Sequence, residues 1–278
     1  MTLPAFFRKT WVRVGLAMLF FAVGFLFSVE PSHDRDWELG QEKLPRFTLD
    51  GDALRVENFR NFPWTDEMKS IARYETRVFD LSSIERLDVF ISHFDDFEGL
   101  AHIFLSFGFA DDKQLVISLE SRREVGEEFS PFLGLFRQYE IIYVVGSEED
   151  IVGARIGVRK ERVYRYPTVA TPDQAQALLL RFSEDINSVY DTPRFYNTLL
   201  HNCTNELTRR VEEMFSVNFP LTWKSLLPGY FDEVLYEMNL IQRVGSFNDT
   251  KITRLIHGAT LNPRSAHFSR DLRGSIDE

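Results

Sequence analysis

Residues 101–121, AHIFLSFGFADDKQLVISLES, read as two strands joined by a tight turn. Ala101, Ile103, Leu105, Phe107 and Phe109 alternate with His102, Phe104 and Ser106, the period of two that a pleated strand imposes. Leu115, Ile117 and Leu119 alternate in the same way with Val116, Ser118 and Glu120. Asp111-Asp112-Lys113 supplies the turn chemistry between them. Centring that turn on Asp111 pairs Phe109 with Lys113 and sets His102 opposite Glu120. Directly opposed residues bring their Cβ atoms to about 5 Å. A slip of one residue would bring Ser118 or Ser121 to the histidine instead.

Outward from this hairpin, strands are expected around Leu54–Phe59, Leu87–Ile91, Tyr139–Val145 and Arg162–Tyr166. Tyr139–Val145 is almost continuously apolar, as a strand buried on both faces would be. After Pro172 the period lengthens. Ala175, Leu178, Leu179, Phe182 and Ile186 fall at helical spacing, so a helix is expected over Pro172–Tyr190. Two more are expected, over Asn202–Phe215 and over Gly229–Ile241 behind Pro228. Strands come first and helices later, which gives an α+β domain with an antiparallel sheet packed against helices. The expected bounds are a linker at 30–50, one domain at 51–245 and a polar, loose tail at 246–278.

The first 29 residues bear on the compartment. Gly15–Val29, GLAMLFFAVGFLFSV, is apolar without a break; Arg8, Lys9 and Arg13 precede it, and Glu30, Asp34 and Asp36 follow. That asymmetry leaves residues 1–13 in the cytoplasm and exports the remainder. Small residues at the spacing of a signal-peptide cleavage site are missing around Val29, so residues 14–29 read as an uncleaved transmembrane anchor rather than a cleaved leader. A single-pass protein of the bacterial inner membrane is expected, with its domain in the periplasm. The net charge of −10 argues against nucleic acid as a partner, because phosphate backbones need clustered Lys and Arg. One cysteine in the whole chain excludes an internal disulfide and a multi-cysteine zinc site. Neither metal-ligand spacing nor a glycine-rich phosphate loop occurs, so no metal and no cofactor is expected.

That cysteine is Cys203, in HNCTNELTRRVEEMF (201–215). Asn202 is a good N-cap, which puts Cys203 in the first turn of a helix. Leu207, Val211, Met214 and Phe215 share its face, so the sulfur is expected to point at the sheet. The peptide N–H groups and dipole of a helix start favour an anion, and such placement lowers a thiol pKa. Cys203 is the candidate nucleophile, His102 the candidate base and Glu120 the carboxylate that would orient it. A packed small residue, a structural strand histidine and a solvated carboxylate are the plain alternatives. Of the other histidines, His93 reads as lying in a loop and His201 as exposed. Asn202, Arg122 and Arg123 are candidates for substrate binding, the two arginines through a lipid head group. The aromatic stretch Phe219–Ile241 is either core, an interfacial segment or the wall of an acyl-chain groove.

LAHIFLSFGF (100–109), ISLESRREVGEEFSPFLGLFRQYEIIYVVG (117–146) and YNTLLHNCTNEL (196–207) together resemble the Lnb N-terminal periplasmic domain family, with a resemblance that runs from Asn58 to Ile241. That family is similar to circularly permuted papain-like, NlpC-like thiol enzymes, in which the histidine strand precedes the cysteine helix. The resemblance implies a permuted papain-like fold and acyl chemistry through a thioester on Cys203, with phospholipid or lipoprotein as substrate and the membrane as partner. It implies His102 as the base, with Glu120 at the orienting position. The lipoprotein-acylating members carry further membrane spans after this domain, whereas here nothing after Val29 reaches the length of a span. Acyl transfer and acyl hydrolysis both remain open. So do a cell-wall amidase or peptidase of NlpC type, and a non-catalytic module that binds lipid or lipoprotein.

Overall fold

The computed structural model describes residues 28–64, 71–258, 261–263, 265 and 267–274, together with 12–14, 16–18, 20 and 24 near the N-terminus. Eight strands form one sheet: β1 (Arg46–Asp50), β2 (Ala53–Arg60), β3 (Tyr74–Asp80), β4 (Ile84–His93), β5 (Ala101–Phe109), β6 (Gln114–Arg122), β7 (Glu140–Gly146) and β8 (Arg162–Pro167). Their order is β1-β2-β7-β6-β5-β4-β8, with β3 also on β2. The pairing is antiparallel throughout except where β2 meets β7 at Arg60 and Gly146, a parallel contact that the expected all-antiparallel sheet lacked. The helices are α1 (Glu148–Gly153), α2 (Pro172–Asp191), α3 (Cys203–Met214), α4 (Trp223–Leu226), α5 (Phe231–Glu237), α6 (Phe247–Arg254) and α7 (Phe268–Gly274). The mixed α+β class is as expected.

The β5–β6 register follows from the turn. Leu105 pairs with Ile117, Phe107 with Leu115 and Gly108 with Gln114, which is the pairing that centring on Asp111 predicts. Asp112 takes a left-handed backbone and Asp111 accepts from the Lys113 N–H, so the Asp-rich turn closes the hairpin. Because side chains alternate, the sheet has two cores. Leu105, Phe107, Ile117 and Leu119 join the larger one, under α2, α3 and α5. Phe90, Phe104, Val116 and Ile142 join the smaller one, with Ile151, Val152, Phe268 and Leu272 from α1 and α7.

α2 begins at a reciprocal cap, Thr171 with Gln174, behind Pro172. It buries Ala175, Leu178, Leu179, Phe182, Ile186 and Val189, the apolar stripe of the sequence. The helix expected over Gly229–Ile241 is shorter. Pro228–Tyr230 is a 3-10 turn, α5 stops at Glu237, Asn239 turns left-handed and Ile241 bridges to Thr168.

Both flanking segments depart from expectation. Residues 30–50 are not a free linker: Trp37 and Gln41 are buried, His33 bonds the Val189 carbonyl at 2.8 Å, and β1 joins the sheet. Residues 246–278 are not a loose tail in their described part. α6 and α7 fold onto the domain, Phe268 and Leu272 are fully buried, and Arg273 pairs with Glu148 at 2.7 Å and Asp88 at 3.0 Å. A charged stretch looks soluble in sequence because its partners, two buried carboxylates on α1 and β4, lie far off in the chain. The anchor read over residues 14–29 lies largely outside the described residues. Among the described residues, no helix is long and apolar enough to cross a membrane.

Removing one partner of a buried ion pair leaves an uncompensated charge, at a cost of about 3–5 kcal/mol. Arg273→Ala should therefore lower the unfolding free energy by about 3 kcal/mol or more in urea titrations of the full chain. A wild-type midpoint would mean that α7 is only loosely docked.

Candidate functional site

Asn202 caps α3: its Oδ1 accepts the Asn205 N–H at 2.8 Å, and its Nδ2 donates to the Thr198 carbonyl at 2.6 Å. Both ends of the amide are spent holding the chain at the helix start. Asn202 thus positions Cys203, and the substrate contact expected of it is not available to a buried, doubly bonded side chain.

Cys203 is partly buried and packs on the larger core. It lines a small, partly open hollow with Ile103, Leu105, Leu119, Tyr143 and Phe182. Its sulfur faces the Ile103 backbone N–H, and the N–H groups of Cys203 and Thr204 add to the same field. The expectation that the helix start lowers the thiol pKa is overturned. Burial pushes the thiol up, and the hydrogen bonds from Ile103 and Thr204 oppose that without overcoming it. The resting group is the neutral thiol.

His102 stands at the start of β5. Its ring stacks on Phe104, with centroids 5.9 Å apart, so it lies on the smaller-core side of the sheet. The thiol approaches from the larger-core side, one residue along at Ile103. A nucleophile and the base that serves it are expected within proton-transfer reach of each other. The alternation of β5 instead puts the two side chains on opposite faces at the same strand end. The β5–β6 ladder closes only from Leu105–Ile117 inward, so both groups sit where the two strands no longer pair.

Glu120 lies on the histidine side as expected, with 3.9 Å between His102 Nε2 and its Oε1. Ser118 comes between them. Its hydroxyl donates to Glu120 at 2.9 Å and lies 2.6 Å from His102 Nε2. A hydroxyl has one proton to give, so the serine oxygen accepts from Nε2–H, and this hydrogen-bond assignment puts the neutral imidazole in its Nε2–H tautomer. The Nδ1 lone pair is then the basic site. Burial, and after it the Arg155 guanidinium, pushes the His102 pKa down to about 3, so the ring is neutral in ordinary buffers. Burial alone would raise the Glu120 carboxyl. Arg155 at 3.0 Å, then His102, overcomes burial and holds it well below the usual carboxylate range.

Arg155 was not foreseen. It comes from the helical turns after α1, lies 4.7 Å over the Phe104 ring, and reaches Glu120 across 35 residues of sequence that carry no pattern linking them. His93 was placed in a loop, yet it ends β4 and is buried, with neither ring nitrogen hydrogen-bonded and Nε2 3.9 Å from Glu98. The alternation Val89, Ile91, His93 carried that signal and continues onto the larger-core face. His201 is exposed, as read, and its Nδ1 lies 2.9 Å from Glu206.

The arginines offered for a head group are committed elsewhere. Arg122 is almost wholly buried, donates to the Gln41 and Glu42 carbonyls at 2.9 and 3.0 Å, and stacks 4.0 Å over Trp37. Burial pushes its pKa down to about 10. Arg123 is half-buried and paired with Glu38 at 2.8 Å. Both fasten residues 37–42 to the end of β6, where the sequence showed them only as a charged run.

A second, larger hollow adjoins the thiol cavity. It encloses about 740 Å³, partly open to solvent, and shares Leu105 and Leu207 with the first. Val211, Phe215, Phe219, Leu235 and Leu240 make its walls almost wholly apolar.

The model of one protein family matches residues 70–229, a span that takes in β4 to β8, α2 and α3. The chain belongs to the Lnb N-terminal periplasmic domain family. No curated protein and no solved structure matches it. The family match includes His102, Ser118, Glu120 and Cys203, and its description makes this a periplasmic domain of the Lnb type. The Lnb-type domain thus carries its one thiol inside the matched region, whereas β1, β2 and the C-terminal helices α6 and α7 lie outside it.

A histidine whose folded pKa lies below its unfolded value binds fewer protons than the unfolded chain, so stability drops as pH falls from about 6.5 towards about 3. His33 and His93 shift in the same direction. The depressed Glu120 adds a loss of its own only below the ordinary range of a carboxyl, about pH 4.5. Thermal midpoints should therefore fall between pH 6.5 and 5, and His102→Asn should make that slope shallower. An unchanged slope would show that His102 is not the buried neutral group described.

Proposed function

We propose that this Lnb-type domain is a membrane-anchored periplasmic thiol enzyme that takes a long acyl chain onto Cys203 as a thioester and passes it to an amine, an alcohol or water. One observation carries the reading: the apolar hollow adjoins the thiol cavity through Leu105 and Leu207, as an acyl-chain site beside a nucleophile must. The stretch Phe219–Ile241 contributes three of its walls, Phe219, Leu235 and Leu240. An apolar channel suits a hydrocarbon tail and is a poor receptor for a cell-wall peptide, which would need polar partners along its length.

In this mechanism the Cys203 sulfur attacks the ester carbonyl carbon. The proton leaves for His102 Nδ1, and the displaced alkoxide takes it back as the C–O bond breaks. In this reading the Ile103 and Cys203 N–H groups, which face the sulfur, donate to the developing oxyanion. At rest Ser118, itself bonded to Glu120, holds the imidazole in the Nε2–H tautomer, and the Glu120 charge favours protonation against the burial and the Arg155 guanidinium that oppose it. Because the ring rests on the other face, proton transfer requires it to leave Ser118 and swing past Ala101, at the strand end where β5 and β6 are unpaired. The order of the histidine strand before the cysteine helix supports a permuted papain-like ancestry for the arrangement.

The neutral thiol and the facing of His102 favour one other reading, a silent module that holds an acyl chain without turning it over. Thioester capture separates the two. Cys203→Ser should abolish covalent labelling by an acyl ester and leave non-covalent fatty-acid binding intact. His102→Ala should reduce acylation of the thiol by at least about 100-fold. Near-wild-type acylation in that variant would remove His102 from the mechanism, and no acylation of the wild type would leave the silent module.

The groove makes a separate expectation. Ala170 lines the apolar hollow and is not among the residues around the thiol. Ala170→Trp should therefore lower turnover of a dodecanoyl p-nitrophenyl ester on the order of tenfold while sparing the acetyl ester. Equal loss on both esters would place the chain elsewhere.

A further inference from the structure

Four loops meet at the end of the sheet that carries Cys203 and His102. β4 ends and β5 begins at the pair His93–Ala101, and β6 ends and β7 begins at Arg122–Glu140, so the loops at 94–100 and 123–139 lie at one end. The loop before α3 joins them: Phe195 bridges to Glu140, and the Thr198 N–H bonds the Gly134 carbonyl at 3.2 Å. The segment around α4 joins as well, since the Gly229 N–H bonds the Gly99 carbonyl at 3.2 Å. These loops point large apolar side chains outward. Phe132 is 67% exposed, Leu200 68% and Trp223 58%, with Phe94, Phe97 and Phe136 beside them in the same loops. Single exposed apolar residues need no explanation, but four loops presenting them at one end of the sheet do.

The chain before the domain arrives at the same end. Glu30 follows directly on the apolar run Gly15–Val29. Ser32 then donates its N–H to the Glu140 carboxylate at 3.1 Å, and Arg35 pairs with that carboxylate at 2.9 Å. The described chain just after the longest apolar stretch of the sequence thus reaches the rim that exposes the aromatic side chains.

We infer that this rim is a lipid-docking face, which seats the mouth of the Cys203 cavity in the interfacial layer of a bilayer. An indole and several phenyl rings suit that layer, where one edge of a side chain is wet and the other is in hydrocarbon. Insertion is apolar rather than electrostatic. Asp95 and Asp96 share the rim with Phe94 and Phe97, and the chain carries a net charge of −10, which anionic head groups would repel. The docking does not depend on thiol chemistry and is measured without it.

The test uses the full chain carrying Trp11→Phe, reconstituted in phosphatidylcholine vesicles whose acyl chains are brominated. Trp37, Trp64 and Trp223 are then the remaining indoles. Bromolipid should quench a component of the fluorescence that disappears on adding Trp223→Phe, and high salt should leave it in place. Circular dichroism checks that both proteins fold. Equal quenching with and without Trp223 overturns the proposal. So does a Trp223 that is shielded from lipid while cysteines introduced as Phe132→Cys and Leu200→Cys in a Cys203→Ser background cross-link two copies, since the rim would then be a protein interface. Quenching that salt abolishes overturns the apolar mode of insertion.

Discussion

The Cys203 sulfur packs against the start of β5, where the Ile103 N–H faces it. The start of α3 is held there from both sides. Asn202 fixes the first turn of α3 from both ends of its amide, and Leu207 packs the next turn into the larger core. On the sheet side, the β5–β6 ladder stops at Leu105–Ile117, which opens room for the helix start. The thiol therefore sits where a helix end and an unfinished ladder present N–H groups to one spot, and such a spot suits an oxyanion better than it suits a resting thiolate. Burial decides the resting state in favour of the neutral thiol.

A domain of the Lnb type thus divides its sheet between two kinds of work. The face under α2, α3 and α5 is apolar, and it holds the thiol with the long hollow beside it. The other face buries charge, with His102, Ser118, Glu120 and Arg155 in one chain of contacts and Asp88, Glu148 and Arg273 in another. Buried charges are costly unless paired, and here each carboxylate has an arginine. Those arginines come from segments distant in sequence, so the polar face forms only once the whole domain has closed.

Local signals were legible wherever one segment decides its own geometry. The hairpin register follows from an Asp-rich turn, and α2 from a capping box ahead of a regular apolar stripe. Asn202 as the cap of α3 was legible for the same reason. The flanks are not legible, because a charged segment looks alike whether its partners are water or buried carboxylates. Arg273 and Arg122 are such cases, and so is the tethering of residues 30–50.

Sequence alone sufficed for β2 and β4 to β8, though not for β1 and β3, and for the pairing in the hairpin, the helix that starts at Cys203 and the side of the sheet on which Glu120 and His102 stand together. A period of two and a cap residue carry that information within a few positions. Only the tertiary structure decided which face of β5 the thiol would approach, that Ser118 would fill the space between imidazole and carboxylate, and that burial would outweigh the helix start at the sulfur. Those outcomes depend on where α3 packs and how much water it displaces, and packing and desolvation are properties of the assembled domain rather than of any stretch of its chain.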